Sequence, residues 1–165
     1  MLAIFLIVLG IVSRLVPHLS QFTAILAVAM FSGMYLNRRL ALVVPLALMV
    51  ATDAIIGFHD TMFFTWGSML AVSIIGVWLR DRKSFTTVFV GSVFSSVLFF
   101  VVTNFGAWLS PLYPDTWAGL RECYVMAVPF FRSTLLSTVA YSMVLYAGYA
   151  WLLQRSRGTA LARLL

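Results

Sequence analysis

Six apolar runs with almost no charge inside them constrain this chain more than any other feature. They extend over Met1–Val16, Phe22–Leu36, Leu40–Phe58, Met62–Leu79, Ser84–Leu109 and Val128–Leu153, separated by turn-formers or short clusters of charge. A helix that crosses the hydrocarbon needs about 20 apolar residues. The runs are continuous rather than alternating, so they predict helices and not the strands of a barrel. The composition agrees, with 62% hydrophobic and only 10% charged residues, against about 25% charged in soluble domains. The sequence therefore predicts an all-α integral membrane protein. A single six-transmembrane-helix domain is expected over residues 1–157, followed by a short basic tail at 158–165. The first three runs are short, which predicts a tilted or uneven bundle.

A net charge of +6 could suggest nucleic acid, but eight of the eleven basic residues fall in three links, at Asn37–Arg39, Arg80–Lys83 and the Arg155/Arg157/Arg163 tail. With six crossings all three lie on one side, the positive-inside pattern, and both termini are expected in the cytoplasm. No nucleic-acid partner is expected; the bilayer is. No basic residue precedes the first run and Arg14 follows it, so Met1–Val16 reads as a retained helix rather than a cleaved signal. A single cysteine excludes an intrachain disulfide and any paired-cysteine motif.

The sixth run carries one charge, Arg132, just after Pro129. An intramembrane arginine costs roughly 2.5–3.5 kcal/mol on insertion scales and normally faces the bundle interior or a wet cavity. Proline fits the first turn of a helix best, so the membrane helix proper is expected to begin near Val128, with Arg132 one turn below the surface. A shorter interfacial helix from Trp117 to about Ala127, with Asp115 as its N-cap, would precede it. That segment reads equally as an aromatic anchor or as a lid. Asp53 is the second intramembrane charge, at a similar depth in the third run, and a bidentate Asp53–Arg132 pair would satisfy both. Such a pair can be structural, functional or both.

The opposite, outer face collects His18, His59 and Cys123, which read either as soft metal ligands or as polar loop groups and a buried thiol. Their spacing matches no compact metal motif, and no resident metal or cofactor is expected. Asn104 needs a hydrogen-bond partner, and Trp66, Trp108 and Trp117 offer flat pocket walls. Small residues at Gly91-Ser92, Ser95-Ser96, Ser133-Thr134 and Ser137-Thr138 read as close helix contacts. No nucleophile elbow, zinc-protease motif, phosphate loop or acidic metal cluster occurs, so no catalysis and no ATP hydrolysis are expected of this chain.

A series of short motifs carries a resemblance. It comprises Pro17-His18 with Phe22-Thr23, Phe31-Ser32-Gly33, Ala51-Thr52-Asp53 with Phe58-His59, Trp66-Gly67-Ser68, Ser96 to Phe100 with Thr103-Asn104-Phe105-Gly106, Tyr113-Pro114 with Thr116 to Gly119, and Ala127 with Pro129 to Arg132. Over about residues 15–150 it resembles an uncharacterised bacterial membrane family classed with the substrate-binding (S) components of energy-coupling factor vitamin transporters. The resemblance implies an inner-membrane subunit that captures a vitamin or cofactor precursor in an outer cavity built by the first, third and fifth loops and the last three helices. A coupling membrane subunit and two ATPases would then energise uptake. Ala3 is followed by Ile7 and then Gly10, so the small-residue coupling face of those relatives is not intact here, and a carrier working alone stays open. The expected site is bounded by His18, Phe22, His59, Trp66, Asn104, Trp117, Cys123 and Arg132, with Asp53 and Trp108 beside it. A flat or corrin-like ligand with amide or carboxylate groups is favoured. The rival readings are a structural or assembly protein without ligand and a proton-coupled carrier using Asp53.

Overall fold

The computed structural model describes residues 1–16 and 21–156; His18 and the expected tail lie outside them. Six helices and no strand make up the described chain: α1 (Leu2–Leu15), α2 (Ile25–Tyr35), α3 (Arg38–Ile56), α4 (Met62–Leu79), α5 (Phe85–Trp108) and α6 (Trp117–Ser156). The last four are long and apolar enough to cross a membrane, whereas α1 and α2 have only 14 and 11 residues. Local chemistry sets several of the ends. Asn37 Oδ1 accepts from Leu40 N at 2.9 Å at the start of α3, and Ser84 Oγ accepts from Thr87 N at 3.1 Å at the start of α5, both N-caps that satisfy an orphan donor. Gly57, at φ 116°, ends α3 in a conformation other residues avoid.

The shortest of these helices lies at the centre. Every α2 residue from Ile25 to Met34 is buried, and α2 packs against all five others. A helix that is apolar all round suits such an enclosed position. The remaining helices form an arc around it in the order α1, α3, α4, α5, α6, each packed on the next, while α1 and α6 do not pack on each other. α2 approaches α4 closely. A Cβ on Gly33 would lie 2.1 Å from Ser73 O and one on Gly76 2.1 Å from Met30 O, and Ser73 Oγ donates to Ala29 O at 2.9 Å. Small residues thus let two backbones touch. The inward face expected on α5 is present, with Gly91, Ser92, Ser95 and Ser96 all buried, and on α6 Ser137 and Thr138 are buried.

Two expectations for the last run are corrected. There is no break at Pro129: α6 is one 40-residue helix that runs through it from Trp117. The proline forfeits one backbone hydrogen bond but its side chain lies exposed, and the continuous packing of α6 on α5 holds the axis. The N-terminal hydroxyl cap comes from Thr116, whose Oγ1 accepts from Gly119 N at 3.1 Å, and not from Asp115. Gly119 is required there because a Cβ would meet Pro114 O at 2.1 Å.

Candidate functional site

At one end of the bundle α1, α3 and α5 finish and α2, α4 and α6 begin. The central helix starts low there. Its 11 residues span about 16 Å at 1.5 Å per residue, while the 24 residues of α5 span about 36 Å. The arc of longer helices therefore continues past the N-terminus of α2, with no described helix along its axis. A cavity of about 440 Å³ fills that space, floored by Ile25. Phe99, Phe100, Phe130 and Phe131 from α5 and α6 supply aromatic wall, with Phe100 and Phe131 centroids 4.8 Å apart. Thr61, Thr65, Thr103, Thr134, Asn104, Gln21 and His59 add polar groups around them.

Arg14, in the last turn of α1, is the one formally charged residue on the wall among the described residues. Its charge is balanced from behind. Arg14 Nη2 lies 2.7 Å from Asp53 Oδ1, with the arginine side chain 16% exposed and the aspartate fully buried. That contact is an ion pair rather than an aligned hydrogen bond. Trp66 Nε1 donates to the other oxygen, Asp53 Oδ2, at 2.7 Å. Arg14 Nη1 also donates to Thr52 Oγ1 and approaches Met49 Sδ at 3.3 Å. The cluster ties α1, α3 and α4 together beside the cavity.

The expected Asp53–Arg132 pair is thus overturned. Asp53 is taken by Arg14 and Trp66, while Arg132 is exposed and its side chain makes no hydrogen bond or ion pair among the described residues. The reason lies in the arc: α3 packs on α1, α2 and α4, and not on α6. Equal depth along the axis did not mean the same side of the bundle.

Of the ten expected site residues, His59 and Asn104 are on the cavity wall. His59 Nδ1 lies 2.9 Å from Thr61 Oγ1. Cys123 is buried one layer behind, its thiol donating to Asn104 O at 3.3 Å. Phe22 packs on Tyr141 with centroids 6.0 Å apart, Trp66 serves Asp53, and Trp108 Nε1 donates to Pro114 O at 3.1 Å. Trp117 is 86% exposed and lines nothing. Trp66, Trp108 and Trp117 are therefore not pocket walls, and that role falls to four phenylalanines. Among the described residues no three His, Cys, Asp or Glu side chains come together as a metal site would require. The wall residues missed from the sequence include Arg14, the threonines and the phenylalanines; the doublets Phe99-Phe100, followed by Thr103-Asn104 two residues on, and Phe130-Phe131, followed directly by Arg132, were the one signal available.

The sequence model of a family of unknown function, DUF6580, matches residues 1–161. No curated protein and no solved structure matches the chain.

Proposed function

The chain belongs to the DUF6580 family, whose function is unknown, and we propose from its geometry that it is a membrane substrate-binding subunit that captures a small molecule from the outer side for uptake. The observation that carries this reading is the cavity of about 440 Å³, which lies within the usual 300–1,000 Å³ of small-molecule sites and has their make-up of apolar walls with a few polar groups. The charge distribution supports the direction. Arg38, Arg39, Arg80, Arg82, Lys83 and Arg155 lie at the end away from the cavity, whereas Arg14, Arg121 and Arg132 lie in its half. Positive charge marks the cytoplasmic side, so the cavity opens outward. The likeness to S components of energy-coupling factor transporters agrees with a binding subunit that either works alone or hands its ligand to an energising module.

The test is extraction of small molecules from the full chain purified in mild detergent. A stoichiometric ligand is expected. A ligand-free protein that also binds nothing from a cell extract would favour the rival reading, a structural membrane protein in which Arg14–Asp53–Trp66 only locks the bundle. Orientation is tested separately. Cysteines introduced at Arg82 and Gln21 are expected to label from the inside and the outside, respectively, and the reverse pattern would invert the proposed direction.

A further inference from the structure

The hydrogen-bond bookkeeping of the cavity wall says what kind of molecule it suits. A threonine hydroxyl has one proton to give and lone pairs to receive. On three of the four wall threonines the proton is already spent. Thr65 Oγ1 donates to Thr61 O at 3.2 Å, Thr103 Oγ1 to Phe99 O at 2.7 Å and Thr134 Oγ1 to Phe130 O at 3.1 Å. This is the local back-bonding that hydroxyls adopt inside helices. Asn104 uses one of its two amide N–H groups on Phe100 O at 2.7 Å, and among the described residues its Oδ1 is an unengaged acceptor beside the one remaining donor. What the α4, α5 and α6 walls offer a ligand is therefore mainly oxygen lone pairs.

Charge narrows the class further. The single guanidinium on the wall already holds Asp53 at 2.7 Å, so the pair presents no net charge, and no carboxylate lines the cavity among the described residues. An anionic ligand would have to compete with a fully buried aspartate for Arg14, and a cationic ligand would find no counter-charge. Size narrows it again. At roughly 30 Å³ per water molecule, about 440 Å³ holds about fifteen waters, hence a ligand of about that many non-hydrogen atoms or somewhat more. A corrin with its side arms far exceeds this, so the corrin-like expectation gives way to a smaller planar molecule that can stack on the phenyl faces.

We infer that the cavity binds an uncharged, planar heteroaromatic molecule that carries amino, amide or ring N–H donors, with the donors directed at Thr65, Thr103, Thr134 and Asn104 and the ring held by the phenylalanines. The inference rests on the ligand-binding reading above. Its test uses the full chain in detergent with three matched probes: quinoline-3-carboxamide, the isosteric quinoline-3-carboxylate, and N,N-dimethylquinoline-3-carboxamide, which lacks the donors. The carboxamide is expected to raise Tm the most, and its affinity is expected to fall about tenfold in Thr103→Val and in Asn104→Leu, about the loss of one hydrogen bond. Thr103→Val keeps the shape of the side chain, and an unchanged Tm without ligand is expected to separate the lost acceptor from misfolding, while Arg132→Gln, outside the cavity, is expected to change nothing. Equal or greater stabilisation by the carboxylate or the dimethyl amide overturns the inference, as does the absence of any shift. The extracted native ligand separates the two levels. No ligand removes the binding-subunit reading itself, whereas a charged or donor-free ligand removes only the chemical class.

Discussion

The two ends of α2 are built in opposite ways. At its C-terminus the arginine that follows α4 closes over the last turn: Arg80 Nη2 and Nε donate to Gly33 O at 2.7 and 3.2 Å, and Nη2 also reaches Leu36 O. Tyr35 stacks on Phe31 at 4.3 Å, meets the edge of Tyr149 at 4.6 Å, and has the Lys83 ammonium 4.2 Å from its ring centroid. At its N-terminus the ties among the described residues are few. Ser13 Oγ accepts from Ala24 N at 3.0 Å, and beyond Ile25 the axis opens into the cavity. One end spends its polar groups on itself; the other is bordered by unspent acceptors and has room. A binding site appears where the central helix stops short, and the closed end anchors the arc around it.

The largest way to break that contrast is at the border between the two regions. Replacing Asp53 by Leu strands Arg14, and replacing Arg14 by Leu strands a fully buried carboxylate; loss of one partner of a buried pair costs about 3–5 kcal/mol. Thermal unfolding in detergent is expected to show that loss for either variant, with partial recovery in the Arg14→Asp/Asp53→Arg double variant. Arg132→Leu, which removes an exposed arginine that has no side-chain partner among the described residues, is expected to stay within about 0.5 kcal/mol. Comparable losses at Arg132 would mean that Arg132, and not Arg14, is the buried cation.

Much of this was legible beforehand, and the parts that were not share one cause. Run lengths and turn-formers placed α4 at Met62–Leu79 and α5 within one residue of Phe85–Trp108 at each end, because hydrophobic length is a local property. Depth was legible too, since Arg14, Asp53 and Trp66 all sit near helix ends on the same side. Azimuth was not: which of two arginines at similar depth faces Asp53 depends on the order of helices around α2, and no single run encodes that order. The cavity was hidden for a related reason. Phe99 or Thr103 lines a pocket only because α2 begins at Ile25 and not at Phe22, a three-residue shift in a segment whose apolar character continues on both sides.

Next in size is the closed end. Gly76→Ala directs a methyl to 2.1 Å from Met30 O, and Gly33→Ala does the same to Ser73 O. Neither carbonyl can move without moving its helix. Overpacking typically costs about 1–3 kcal/mol, so both variants are expected to lower Tm. They should leave the affinity for a cavity ligand within about twofold if the two ends are independent, since a 1.4 kcal/mol coupling would already change it about tenfold. A tenfold change would show that the closed end sets the shape of the open one. Arg80→Met, which frees the carbonyls of Gly33 and Leu36, is expected to cost about 1.5–3 kcal/mol by the same readout, the range for hydrogen bonds to charged groups.

The smallest effect is a pH dependence confined to the closed end. Lys83 lies in the link between α4 and α5, and partial burial, with Arg80 nearby, lowers its pKa below the ordinary 10.5, while Asp81 opposes the shift. The folded chain therefore releases this proton at a lower pH than the unfolded chain does. Between the lowered folded value and 10.5 the unfolded state binds more protons, so the Lys83 contribution to stability rises with pH in that window and is level below it. The lysine is largely exposed, which keeps the slope shallow. Comparing the original chain with Lys83→Met isolates it from the tyrosines, which both carry. As the solution is made more alkaline towards pH 10.5, the original chain is expected to gain stability relative to the variant. A relative loss would mean that the ammonium over the Tyr35 ring stabilises the folded state more than its burial opposes it, and that the closed end holds a favourable charge as tightly as the open end holds Arg14.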